Sequence, residues 1–125
     1  MQVTTIGLDI AKNVFQVHGI DAAEKVVVAF AVRAPEGTLR VCLINQNITR
    51  DERVAIDLGR KFTAASMLRL AGPAIDATAG VTFGGASVDE FGRWAPPMSE
   101  EVRLTGHEFI VAVPAASATL VSLRG

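Results

Sequence analysis

Arg53-Val54-Ala55-Ile56-Asp57-Leu58 alternates without a break. Successive side chains of an extended chain point to opposite sides, so Val54, Ile56 and Leu58 share one face and Arg53, Ala55 and Asp57 the other. This is the pattern of a half-buried strand, and the same period of two recurs in both directions from it. Downstream, Gly59-Arg60-Lys61 leads into residues 63–70, where Ser66, Leu68 and Leu70 oppose Met67 and Arg69, and Gly72-Pro73 ends the run. Upstream, residues 39–45 follow the compact turn signal Pro35-Glu36-Gly37, and a Val-rich run over residues 25–33 precedes it. Nearer the N-terminus, residues 5–10 and 13–18 are two short β-like runs around Ala11-Lys12.

Past residue 73 the pattern loosens. Gly80, Gly84, Gly85, Gly92, Pro96 and Pro97 mark bends around short strands expected near 81–83 and 86–88. Residues 101–105, 108–114 and 118–123 read as three closing strands, the first two joined by Gly106-His107. No long segment keeps a 3.6-residue period without a Gly or Pro interrupting it. Many short strands at roughly ten-residue spacing predict an all-β chain, an antiparallel β-sandwich.

Composition narrows the function classes. The chain has 125 residues, half of them hydrophobic and 20% charged, which suits one packed domain. Twelve Lys and Arg balance thirteen Asp and Glu, for a net charge of −1, so no basic surplus points to nucleic acid or an anionic membrane. The balance hides no arm: residues 1–28 carry two basic and three acidic side chains, and residues 29–125 ten of each. Cys42 is the only cysteine, which excludes an internal disulfide and a Cys-based zinc site. No apolar run reaches the ~18 residues of a membrane span. The first Lys is Lys12, so the basic start of a secretory signal is absent; the expectation is a cytoplasmic product as written, with export an option for the parent enzyme.

Two stretches resemble known families. Gly7-Leu8-Asp9-Ile10-Ala11-Lys12-Asn13, followed by Phe15-Gln16-Val17-His18-Gly19, resembles the start of transposases of the insertion sequence 110 family. The resemblance implies the first two strands of an RNase H-like domain as an N-terminal β-hairpin over residues 1–28. It also matches Asp9 to the first acid of the family's DEDD metal set. Two-metal phosphoryl chemistry needs several converging carboxylates. The partners of Asp9 lie far downstream in that family, and nothing here resembles that region, so a solvated acid is expected.

From about residue 29 the chain resembles the C-terminal β domain of glycoside hydrolase family 79, the β-glucuronidase- and heparanase-like enzymes. The residues that carry the likeness include Val32-Arg33-Ala34-Pro35-Glu36-Gly37, Asp76-Ala77-Thr78-Ala79-Gly80-Val81-Thr82-Phe83-Gly84-Gly85, Gly92-Arg93-Trp94-Ala95-Pro96 and Val113-Pro114-Ala115-Ala116-Ser117-Ala118. The resemblance implies a β-sandwich, residues 29–125, that packs against a catalytic (β/α)₈ barrel. The barrel carries both catalytic glutamates and precedes this region in the family. Such a domain needs no cofactor, exposes an apolar docking face when the barrel is missing, and self-associates through it.

Candidate sites were weighed against plainer roles. The acidic pairs Asp51/Glu52, Asp89/Glu90 and Glu100/Glu101 sit at turns or strand starts, where charge is solvated, and adjacent residues on a strand point apart. His18 and His107 lack a third ligand at metal spacing, so no metal site is expected. Cys42, between Val41 and Leu43, reads as a buried inert thiol. Gly84-Gly85 lacks the Lys-Ser/Thr and the helix of a phosphate loop. Asn47-Ile48-Thr49 fits a glycosylation pattern but carries no weight without a signal peptide. Trp94, with Phe91, is the candidate carbohydrate-binding residue, against a role as a plug over the sandwich edge. The reading is a non-catalytic accessory β-sandwich domain fused near residues 26–30 to a transposase remnant. A carbohydrate-binding module is the alternative, and a DNA-associated transposase fragment the third.

Overall fold

Alternation in sequence becomes alternation in burial. The computed structural model describes residues 3–7, 14–20, 26–95 and 99–125. Its strands are β1 (Val3–Gly7), β2 (Val14–Ile20), β3 (Val26–Arg33), β4 (Leu39–Asn45), β5 (Glu52–Asp57), β6 (Ala64–Ala71), β7 (Thr82–Phe83), β8 (Glu100–Glu101), β9 (Leu104–Thr105), β10 (Glu108–Val113) and β11 (Ala118–Arg124). Among the described residues there is no helix. Leu39, Val41 and Leu43 of β4 are buried, as are Phe109, Val111 and Val113 of β10 and Thr119, Val121 and Leu123 of β11.

The strands form two sheets. One has four strands in the order β1-β5-β10-β9; the other has seven, in the order β2-β3-β4-β11-β6-β7, with β8 also paired to β6. The chain passes between sheets from β1 to β2, from β4 to β5, from β5 to β6, from β8 to β9 and from β10 to β11. The core lies between the sheets. Ala29, Ala31, Leu39, Val41, Leu43, Val121 and Leu123 enter it from the large sheet, and Val54, Ile56, Phe109, Val111 and Val113 from the small one. Leu58, Phe62 and Val102 fill in from the connections. Burying one such side chain is worth about 1.5–3 kcal/mol. This is the expected β-sandwich.

Two devices tie the sheets together. Asn45 is buried at the end of β4; its Nδ2 donates to the carbonyls of Arg50 and Val113, and its Oδ1 accepts the Asn47 N–H. Asp51 adds a bond across the same end, its Oδ1 accepting the Ala115 N–H. On the flank, Arg69 of β6 donates from Nη1 to the Ala112 carbonyl of β10 at 2.6 Å and from Nε to Glu100 at 3.1 Å. Its guanidinium thereby satisfies a carbonyl on the stretch of β10 that β9 does not reach.

Several expectations need correcting. The N-terminal strands do not form a hairpin with each other. β1 pairs in parallel with β5 in the small sheet, and β2 pairs antiparallel with β3 in the large one. Each adds to an available edge of a different sheet, so the sandwich is not purely antiparallel. The run 101–105 is not one strand: β8 belongs to the large sheet and β9 to the small one, because Val102 between them turns into the core. No strand forms over 86–88; Ala86 makes only a bridge to Phe83. Glu52 is not solvated but only 2% exposed, since it shares the inward face of β5 with Val54 and Ile56.

Candidate functional site

The register of the large sheet decides which side chains face away from the core. Inward residues of β4 and β11 alternate with Arg40, Cys42 and Ile44, and with Ala118, Leu120 and Ser122. Pairing carries this outer face across the sheet. Phe30 sits beside Cys42, Leu120 beside both Cys42 and Leu68, and Ala118 beside Ile44 and Leu70. Phe30 is 37% exposed, Val32 45% and Leu70 44%. Cys42, Ile44, Leu68 and Leu120 are half-buried. The outer face of a two-sheet sandwich is ordinarily polar. Here its middle and one end are apolar.

The face is graded along the strands. At the apolar end, the loop after β6 flanks Ile44, Leu70 and Ala118 and lines with them an open cavity of about 570 Å³, together with Ile48, Ile75 and Val81. At the other end Ser66 and Ser122 lie in a shallow depression bordered by Arg40 and Arg124. Arg40 makes a long, exposed pair with Glu36, at 3.7 Å. Glu101 lies opposite Ser66 and is exposed. Burial raises the pKa of the Cys42 thiol above its ordinary value, so little of it is thiolate at neutral pH and it reacts slowly. It is half-buried on the outer face, less enclosed than the buried thiol expected from sequence.

The aromatic candidate is built differently. Gly84 and Gly85 both have positive φ, 64° and 81°, the requirement of a two-residue hairpin turn between Phe83 and Ala86. Trp94 stacks on Phe83 with ring centroids 5.2 Å apart and donates from Nε1 to the Phe83 carbonyl at 2.8 Å. One face of the indole and its only donor are therefore used in pinning the loop to β7, the geometry of a plug. The rest is open: Trp94 is 38% exposed and Phe91 72%. Asp89 organises the intervening turn, accepting the Phe91 and Arg93 N–H groups on Oδ1 and Arg93 Nε on Oδ2. The Arg93 backbone N–H foremost holds the Asp89 carboxyl below its ordinary pKa. Arg93 lies over the Phe91 ring, 5.0 Å from its centroid.

The remaining candidates fall apart in space or outside the described residues. Asp9 lies outside them. His18 belongs to β2 and His107 to the turn before β10, where its Nδ1 is 2.8 Å from Asp57 Oδ1. Asp57 Oδ1 also accepts the Gly59 N–H. That backbone bond first, and His107 second, lower the Asp57 pKa. In the sequon-like stretch, Asn47 Oδ1 accepts from the Thr49 and Arg50 N–H groups and from Thr49 Oγ1. The acidic pairs do not converge: Glu52 points into the core, Glu100 binds Arg69, and Glu101 faces outward. Among the described residues no group of three or more His, Cys, Asp or Glu is placed to hold a metal ion, and no helix is long and apolar enough to cross a membrane.

An all-β sandwich with an apolar outer sheet face is the form of an accessory domain. The comparisons give its family. Residues 29–120 match the glycosyl hydrolase family 79 C-terminal beta domain, and the chain belongs to that family. The match is to the β domain, not to a catalytic barrel, and it starts at residue 29. A search of curated proteins found no match. Among solved structures, the chain is similar to a 4-O-alpha-L-rhamnosyl-beta-D-glucuronidase from Fusarium oxysporum. The TM-score is 0.65 and the identity 20%, over 86% of this chain and 26% of that one. It is also similar to a glycoside hydrolase family 51 arabinofuranosidase from Xanthomonas axonopodis pv. citri, with TM-score 0.54 and 21% identity over 78% of this chain and 19% of that one. A third is the thermostable family 51 alpha-L-arabinofuranosidase from Thermotoga petrophila, with TM-score 0.55 and 15% identity over 88% and 23%. At these identities the likeness is one of fold. The chain spans about a quarter or less of the length of these three structures.

Proposed function

We propose that this chain is a non-catalytic accessory domain that buttresses a glycoside hydrolase (β/α)₈ barrel, docking through the outer face of its seven-stranded sheet. The observation that carries the reading is the apolar outer face, centred on Leu68 and Leu120. The family and the barrel-sized remainder of its structural neighbours support it. Residues 1–28 are, in this reading, the start of an insertion-element transposase joined in frame to a domain of residues 29–125. The join falls inside β3, which runs through it as one strand. The strand geometry continues because both sides supply residues suited to a strand, Val26–Val28 before the join and Phe30 and Val32 after it.

The test is co-expression with a family 79 barrel stripped of its own C-terminal β domain. Soluble aryl-glucuronidase activity is expected to rise with this chain present and to fall back with Leu68→Arg. Equal activity with and without the chain, or with the variant, contradicts docking on this face. The carbohydrate-binding alternative is favoured by the exposure of Phe91 and of part of Trp94. Titration with uronic-acid oligosaccharides that is abolished by Trp94→Ala and Phe91→Ala supports it. Salt-sensitive retention on DNA supports the third reading, against which the near-zero net charge stands.

A further inference from the structure

We infer that, in the absence of a barrel, the outer face of the seven-stranded sheet pairs with the same face of a second copy of this chain, about a two-fold axis that runs along the strands between β11 and β6. It rests on the docking reading in one respect only: both use this face, so a bound barrel excludes the second copy. The grading of the face selects the axis direction. An in-plane axis across the strands lays the apolar end of one copy on the Ser66 and Ser122 end of the other. An axis along the strands lays apolar on apolar and polar on polar.

Charge selects where the axis lies. In the order β4-β11-β6-β8, Arg40, Ser122, Ser66 and Glu101 occupy successive positions of one outward row. Rotation about a line between β11 and β6 sets Arg40 of each copy against Glu101 of the other, and Ser122 against Ser66. One row along, the same rotation sets Leu120 against Leu68. Both charges are exposed, and among the described residues Arg40 makes the long pair with Glu36. At the apolar end the rotation brings the loop after β6, where Ile75 is 67% exposed, over the other copy's cavity, floored by Ile44 and Ala118. The rotation sets four strand positions, β4, β11, β6 and the shared position of β7 and β8, against four; they span about 19 Å, and seven residues of strand about 23 Å, so the pair covers on the order of 900 Å² of flat area. This is below the size of a stable interface, so a weak association is expected, toward the upper micromolar range.

Sedimentation velocity of the full chain tests the proposal, with charge exchange as its readout. The wild type is expected to shift from monomer to dimer toward the upper micromolar range. Arg40→Glu and Glu101→Arg are each expected to weaken the dimer about tenfold, by placing like charges opposite each other. The double variant, which exchanges both charges, is expected to restore it. These positions are exposed, so folding is not at stake, and the monomer's circular dichroism is the control. A wild type that stays monomeric, single exchanges without effect, or a double variant no better than the singles overturns the pairing. None of these outcomes bears on barrel docking, which is measured with the barrel present.

Discussion

At the residue scale, polar side chains hold together what alternation alone leaves loose. Asn45 is 2% exposed and serves two carbonyls, one of them on the opposite sheet. Asn45→Ala leaves the buried Val113 bond and the part-buried Arg50 bond without their donor, an expected loss of about 1–3 kcal/mol. Asn45→Asp keeps the acceptor, loses the donors and buries a charge, so it is expected to be worse. Urea unfolding of the two variants measures this. Asp57 gives a pH signature. Its folded carboxyl titrates below the ordinary value, held down by the Gly59 N–H and by His107. The stabilisation is thus complete above the ordinary carboxylate value of about 4 and is lost as pH falls through the lower folded value. Asp57→Asn is expected to flatten the fall of Tm with pH in that acid range. An identical acid limb in the variant contradicts the role. Neither residue announces itself in sequence. Asn45 reads as the polar end of a strand, and the partner of Asp57 lies fifty positions away.

At the element scale, the division between what was legible and what was not follows range. β4, β5, β10 and β11 were legible because each buries one face, and a strand with one buried face must alternate. Partnership was not. The strands β1 and β2 lie next to each other in sequence, yet each satisfies its backbone on a different sheet. The stretch 100–105 alternates like one strand while Val102 divides it between sheets. Pairing is a long-range property, and no local pattern records it. The apolar outer face was expected in kind from the family resemblance, but its residues were not, since Phe30, Cys42, Leu68 and Leu120 come from four strands. The placement of β1 and β2 leads to a clear outcome. Deleting residues 1–24 uncovers the edges of β3 and β5 and is expected to lower the melting temperature, by roughly 3–6 °C for each kcal/mol lost. Amide protection over Val3–Gly7 and Val14–Ile20 comparable to that of Leu39–Asn45 supports the same pairing. Unchanged melting together with random-coil exchange contradicts it.

At the scale of the whole molecule, the chain has the core of a complete sandwich and the surface of an incomplete one. Its inner layer is closed by residues from both sheets, while the outer face of the large sheet is built to be covered. The family match and the size of the structural neighbours are consistent with a catalytic barrel as the inherited cover. Cys42, the one cysteine of the chain, sits in the middle of that face, next to Leu120 and Phe30. Its rate of maleimide labelling is the most direct report on whether the face is occupied. With the chain diluted below its self-association range, adding a family 79 barrel without its own β domain is expected to slow labelling of Cys42 at least about tenfold, a change that Leu68→Arg abolishes. A barrel that binds while Cys42 labels at the free rate contradicts docking on the seven-stranded sheet.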